Sequence, residues 1–460
     1  MLRFSFSLVV FTFVASIFLS ASEGSAQSQR ADVSPAEMRQ IAASAIVNGD
    51  PRLGYQLATA LLKRDPNDTE ALIIRARAAR DLGRLPEAVA TARRAWGNAD
   101  TSSERFGASM VMAQALSTSG ARTRAQLWLR RAAQNAPSDE FKNIAVRDFR
   151  YVQRVNPWAT EFSFSAAPNS NINNGSKYST TQLFDLPFEF QLSGAAQALS
   201  GFEYSLGVAT RYRLAESNRS QNDLIFQLDH RTYTLSDEAK QLAPNVEGAD
   251  FEYSTAGLSY IRRGFTGSGD NKPYQFEFSA GRTWYGRSPF MQYARVGITQ
   301  NFVTAPGQLV FLGLNREYQQ SMSNRADVDS WTIRTGMRVS LANRDRLTLS
   351  LSAKKSNSVD ANLDYNQVRL SARYSVSKPI AGVSVNFGVS LSQKIHDVSN
   401  FTRFGRQDQT VSLDVTGVFK QIEYFGFSPS VTVSARKTQS NVGLYESQGI
   451  GLRMGIQSSF

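Results

Sequence analysis

The chain has 460 residues, 51 Lys and Arg against 39 Asp and Glu for a formal net charge of +12, and no cysteine. The missing thiol excludes disulfides, a thiol nucleophile and a lipidated N-terminal Cys. The basic residues are dispersed, so they read as partners for anionic head groups, a wet lumen or acidic protein surfaces rather than for nucleic acid.

Met1 to Ala26 reads as a secretory signal. Arg3 supplies the basic start, Leu8 to Leu19 the apolar run, and Gly24-Ser25-Ala26 the small residues before cleavage, with cleavage after Ala21 as the alternative. The run is too short for a comfortable spanning helix, and no later stretch approaches the about 20 apolar residues such a helix needs. A membrane crossing by this chain must therefore be made with strands.

Residues 27–155 carry a helical period and a repeat. Gly54, Leu61 and Pro66 align with Ala88, Ala95 and Asp100 at an offset of 34 residues, and with Ala125, Ala132 and Pro137 after a further 37. Thr101-Ser-Ser is the expected insertion. Thirty-four residues is the tetratricopeptide period, in which a small residue sits where paired helices touch and a Pro or Asp follows the second helix. In the middle copy Leu72, Arg75 and Ala76 stand where that unit has its first-helix landmarks. The alternative is a generic helical bundle. Either way the segment, with 20 Lys and Arg against 13 Asp and Glu between Arg30 and Arg154, is expected to offer a surface for a peptide or protein.

After Asn156-Pro157-Trp158 the period becomes two. Phe162 and Phe164 alternate with Ser163 and Ser165, Tyr274, Phe276 and Phe278 with Gln275, Glu277 and Ser279, and Val383 to Leu391 with small polar partners. Alternation at lengths that cross a bilayer when tilted predicts a transmembrane antiparallel β-barrel over 156–460, facing lipid with one stripe and a wet lumen with the other. Trp158, Trp284, Tyr285, Trp331, Tyr424 and Tyr445 are the candidate interfacial girdle. About fifteen strand starts can be marked, one near residue 188; single-chain barrels use even numbers, so fourteen strands are expected and sixteen is the alternative. Glu423 to Gly426, Lys378 to Gly382, Ala342 to Asp345 and Thr304 to Gly307 read as short periplasmic turns. The last strand alternates through Ile450, Leu452, Met454 and Ile456 to Phe460, and Ile456 with Phe460 reads as the assembly signal for the barrel-insertion machinery. The fold class is thus helical repeats followed by an outer-membrane barrel, with outer-membrane lipids among its partners.

Little in the chain suggests catalysis. The two imidazoles, His230 in the lipid-side register and His396 at a strand end, come with no pattern of Ser and carboxylate partners. No Cys/His cluster for zinc and no phosphate-binding Gly-Lys-Ser/Thr motif occurs. No enzyme activity, cofactor or metal is expected.

Two segments carry a family resemblance. Pro157-Trp158 through FSFSAAPNSNINNGSK to Lys177, with the asparagine-rich Asn169, Asn171 and Asn173, resembles the barrel start of the surface lipoprotein assembly modifier family; Gly426-Phe-Ser-Pro429 through Ser440-Asn441 to Phe460 is similar to its last hairpin. The resemblance implies an outer-membrane translocon that delivers a lipoprotein or small secreted protein, with periplasmic repeats binding the cargo or its chaperone. Asn169, Asn171, Asn173, Ser440 and Asn441 are both turn formers and candidate cargo contacts. The alternatives are an exopolysaccharide export porin and a passive solute channel.

Overall fold

The computed structural model describes residues 33–269 and 272–458; the signal segment 1–26 and Phe460 lie outside them. The first helices are α1 Pro35–Val47, α2 Pro51–Arg64, α3 Thr69–Asp81, α4 Leu85–Asn98, α5 Ser102–Thr118, α6 Arg122–Gln134 and α7 Asp139–Val155. Local chemistry sets their starts. Ser34 and Thr101 form reciprocal capping boxes with Glu37 and Glu104, Asp50 and Asp68 accept from Leu53 N and Ala71 N, and Pro opens α1 and α2; such caps satisfy the N–H groups that a helix start leaves unpaired.

The helices stack in successive pairs. Helices α2, α4 and α6 begin at 51, 85 and 122, so the offsets of 34 and 37 residues seen in the sequence recur as helix starts. Gly54, Ala88 and Ala125, with Leu61, Ala95 and Ala132, are buried between helices. At Gly54 the approach is so close that a Cβ would lie 2.5 Å from Ile46 Cγ1 and 2.9 Å from the Ala42 carbonyl. Thr101-Ser-Ser, however, is not an insertion: Thr101 caps α5, and the longer offset arises because α5 runs 17 residues where α1 and α3 run 13, an extra turn of helix.

The strands are β1 Trp158–Asn169, β2 Thr180–Gln182, β3 Glu189–Gln191, β4 Gly201–Glu216, β5 Ser220–Leu235, β6 Tyr253–Phe265, β7 Pro273–Tyr285, β8 Ser288–Ala305, β9 Gln308–Ser321, β10 Val328–Ser340, β11 Arg346–Asn357, β12 Tyr365–Ser375, β13 Val383–His396, β14 Arg406–Phe419, β15 Phe427–Ser440 and β16 Ser447–Ser458. All except β2 and β3 close into one antiparallel barrel, with β1 between β4 and β16; the barrel has 14 strands. The surplus candidate near 188 is β3, which pairs only with β2 inside the long connection from β1 to β4. A three-residue hairpin is too short to cross a bilayer.

Alternation places Phe162, Leu206, Phe278, Leu312, Leu370 and Leu413 on the outside, all exposed. A closed barrel leaves no unpaired sheet edge, and an apolar outer face is what such a barrel presents to lipid. This is an outer-membrane-type barrel. The short connections at residues 306–307, 341–345, 376–382 and 420–426 share the end that carries the helices, whereas 170–200, 236–252 and 397–405 crown the far end. Gly307 and Gly426 take φ of +75° and +72° in two of the tight turns, a conformation glycine adopts without steric cost.

The girdle differs from expectation at two residues. Trp158, Trp284 and Trp331 keep the outward register near strand ends, and Trp158 packs on Tyr212 with ring centroids 4.6 Å apart. Tyr285 follows Trp284 directly, so alternation turns it to the luminal register opposite Tyr253. Tyr445 lies in a short turn with its ring 3.7 Å from the Arg406 guanidinium carbon and donates to Asn362 Oδ1, inside the far mouth rather than at the lipid boundary.

Candidate functional site: the seam between the first and last strands

Strand β1 is paired without interruption to β4, from Trp158↔Tyr212 to Asn169↔Gly201. On its other side it meets β16 only at Ser165↔Gly455, Ala166↔Met454 and Asn169↔Gly451. Register sets Phe162, Ser163 and Phe164 opposite Ser458, Gln457 and Ile456, and among the described residues these three are unpaired on that side. A cavity of about 350 Å³ opens at this split, lined by the luminal Ser163, Thr432 and Arg453 and by the outward Phe164, Leu206 and Ile456. Pairing across this seam is thus sparse at the helix-bearing end, and the cavity there is bordered by residues of both the inner and the outer face. Backbone groups left unpaired within a bilayer cost several kcal/mol each, which makes this the weakest joint of the wall.

The far end of the same seam is stapled. Ser170 Oγ donates to Ile450 O at 3.2 Å and accepts from Ile450 N at 2.9 Å. Asn171, which is buried, donates from Nδ2 to Gly175 O and to Gln448 O across the seam, and its Oδ1 accepts from Gly175 N. Asn173 donates to Ala195 O and Gln197 O and accepts from Leu199 N, while Asn169 donates to Glu203 Oε2. Lys177 pairs with Glu446 at 2.6 Å, a contact that raises the Lys177 pKa. The connection then crosses the mouth, where Phe184 N donates to Phe401 O at 2.7 Å and Asp185 accepts from Thr402 Oγ1 and Arg403 N.

Ser440 and Asn441 tie the neighbouring hairpin in the same way. Ser440 Oγ donates to Asp408 Oδ1, and Asn441 donates to Gly405 O and accepts from Gln407 N. All five residues singled out by sequence thus act on backbone or side chains at the far rim, and Asn171 does so directly across the seam. Ile456 lies beside the split, exposed on the lipid face.

The helical domain straddles the other end. On the β1 side α7 runs directly into the strand through Asn156, which is 2% exposed and donates to Thr123 Oγ1, while Arg213 of β4 donates to Arg154 O. On the β16 side Arg130 of α6 donates to Phe425 O at 3.0 Å, Gly426 O at 2.9 Å and Ser458 Oγ at 2.8 Å. Its guanidinium also lies over the rings of Phe149 and Phe427, at 4.7 and 4.2 Å. Burial lowers the Arg130 pKa to about 10, opposed by the nearby Glu423 carboxylate, so it remains charged at neutral pH. Lys142 of α7 pairs with Glu423 at 3.3 Å. Sequence reasoning missed Arg130, because nothing in a helical pattern tells an arginine that grips a distant turn from one in solvent.

A groove of about 360 Å³ runs between α1 and α3, floored by Ile73, Ile74 and Ala43 with Arg39 and Glu70 at its rim. Of the two histidines, His230 lies outward, 2.8 Å from Ser254 Oγ. His396 is buried inside the far mouth: its Nδ1 contacts Ala361 O, and Arg406 occupies Nε2, the nitrogen a general base would use.

No family model matches the sequence, and no curated protein matches it. Solved structures show distant likeness. The outer membrane channel DcaP of Acinetobacter baumannii gives a TM-score of 0.36 at 9% identity over 65% of this chain and 96% of its own. OccAB3 of the same organism gives 0.35 at 7% identity over 64% and 98%, and a bacterial polysaccharide outer membrane secretin 0.33 at 7% over 64% and 98%.

Proposed function

We propose that this chain is an outer-membrane translocon that delivers a lipoprotein or small secreted protein to the cell surface, and that the seam is its route. The observation that carries the reading is the sparse pairing of β1 with β16, and the cavity beside it, at the end straddled by the helical domain. A passive pore gains nothing from unpaired strand edges in lipid. A cargo with a lipid anchor and a polar body needs a path that is apolar on one side and wet on the other, and the split offers Phe164 and Ile456 beside Ser163 and Arg453.

Short turns at the helix-bearing end and long connections at the far end support placing the helices in the periplasm. There the repeats hold the cargo or its chaperone, and tethering beside the pore raises its effective concentration so that weak binding suffices. The two segments that resemble the surface lipoprotein assembly modifier family lie on opposite sides of this seam and meet at Asn171 and Gln448, which supports reading them as one device. Polymer export has less support, since the luminal wall from β10 to β13 offers no carboxylate track.

The test is site-specific photo-crosslinking during delivery of a lipoprotein encoded beside this chain. A photoreactive residue at Phe164 or Ile456 is expected to capture the cargo, and one at Ile333, outward on β10 across the barrel, is not. Capture from the luminal Arg369 but from neither seam position would overturn the route.

A further inference from the structure

The luminal charges are segregated. Register places Arg334 and Arg338 of β10, Arg346 and Lys354 of β11, and Arg369 and Arg373 of β12 on the inner face, in alternation with outward Ile333, Leu349 and Leu370. Arg334 and Arg369 flank Ser352 in one cross-strand row, and Arg338 and Arg373 flank Thr348 in another. Two strand spacings put the cations of each row about 10 Å apart, and four residues put the rows about 13 Å apart along the strand. From Arg346 to Lys354 the ladder rises about 27 Å along β11, the greater share of the barrel's apolar height.

The strands of this wall carry no luminal carboxylate of their own. Within strands β10 to β13 the lone carboxylate is Asp329, in the outward register and paired with Arg316. Among the described residues none of the six cations forms an ion pair; Arg334 and Lys354 instead lie over the Phe311 and Tyr365 rings. Of the luminal acids, Asp223 pairs with Arg263 at 2.6 Å, Glu203 with Arg453 at 3.5 Å, and Glu317 of the adjacent β9 with Arg295, while Glu161, Asp229, Glu277 and Asp414 stand on β1, β5, β7 and β14, outside the β10 to β12 wall. All five arginines of the ladder are exposed, so water reaches the whole wall.

We propose that the β10 to β12 wall makes the lumen an anion-selective passage for small anions such as chloride and short carboxylates, an activity separate from cargo delivery. A file of hydrated, uncompensated guanidinium groups in a low-dielectric tube raises the local concentration of anions and repels cations. Spacing of the rows lets an anion pass from one to the next without a deep well at any of them.

The experiment is the reversal potential of the processed chain in planar bilayers under a KCl gradient, with insertion confirmed by heat-modifiable migration. The wild type is expected to reverse on the chloride side. The pair Arg334→Glu and Arg369→Glu should move the reversal toward potassium, the milder Arg334→Gln and Arg369→Gln should give an intermediate shift with little risk to folding, and Lys378→Glu in the β12–β13 turn should leave it unchanged. A correctly inserted wild type that conducts nothing, shows no selectivity or prefers potassium would overturn the proposal, as would glutamine and glutamate pairs that keep the wild-type value. No cargo enters this assay, so its failure is distinct from failure of the translocation reading.

Discussion

A disulfide between Ser165→Cys and Gly455→Cys should abolish cargo delivery under oxidising conditions and restore it on reduction. The two residues are direct partners at the point where the seam ceases to pair. Opposed residues of an antiparallel ladder have Cα atoms about 4.5 to 5.5 Å apart, within disulfide range. The chain has no other thiol to compete. A Cβ at 455 would lie 3.0 Å from Phe164 O, so the single variant Gly455→Cys serves as control for local displacement. If the seam must open, one covalent link closes the route and delivery should fall by tenfold or more, roughly the effect of a further 1.4 kcal/mol on the opening equilibrium. Full delivery with the disulfide quantitatively formed would place the path elsewhere.

The second large effect is expected at Arg130. Arg130→Ala removes three hydrogen bonds from a charged donor and the stacking on Phe149 and Phe427. Hydrogen bonds to charged groups contribute about 1.5 to 3 kcal/mol each and do not add, and burial of the guanidinium already offsets some of the gain. A net loss of about 3 kcal/mol of docking, or roughly 100-fold in the docked population, is a reasonable expectation. Lys142 and Glu423 provide the readout, because their ion pair at 3.3 Å can be joined by a carbodiimide. The coupling yield should collapse in Arg130→Ala and recover partly in Arg130→Lys, with helical circular dichroism unchanged in both. An undiminished yield in Arg130→Ala would mean that the domain is held by other contacts.

These two predictions rest on features that differ in how far the sequence announces them. Strand alternation is a local signal, and it is strong because each barrel strand has one lipid face; Phe162, Phe164 and Ile456 declare their side unaided. The helical repeat is visible for the same reason, since Gly54, Ala88 and Ala125 must be small where helices touch. Its misplaced insertion shows the limit: a run of Thr and Ser looks like a loop, yet Thr101 is a cap, Ser102 and Ser103 are helical, and the added length lies within α5. The surplus strand near 188 shows another, because a short alternating piece has the period of a strand without the length to cross.

The site was only partly legible. Asparagines between Asn169 and Asn173 mark a turn, but turn chemistry says nothing of the strand the turn is tied to, and Gln448 is far away in sequence. The segregated lumen could have been read in outline, because inward and outward positions follow from alternation and β10 to β13 visibly lack carboxylates on one face. Which acids on the opposite wall are compensated depends on cross-strand register, and register is fixed by turns and bulges that single residues do not reveal. The seam is the least legible feature of all. Both of its strands alternate as well as any other pair, and what distinguishes them is where pairing stops.

The most direct measurement is protease accessibility, on intact cells, of a lipoprotein encoded beside this chain, with and without the chain present. Delivery predicts that the lipoprotein becomes cleavable from outside only when the intact chain is expressed, and that cells carrying the oxidised Ser165→Cys and Gly455→Cys variant behave like cells without it. Equal protection in both strains, with the barrel shown to be inserted, would contradict the account and leave anion passage through the arginine-lined lumen as the function of the fold.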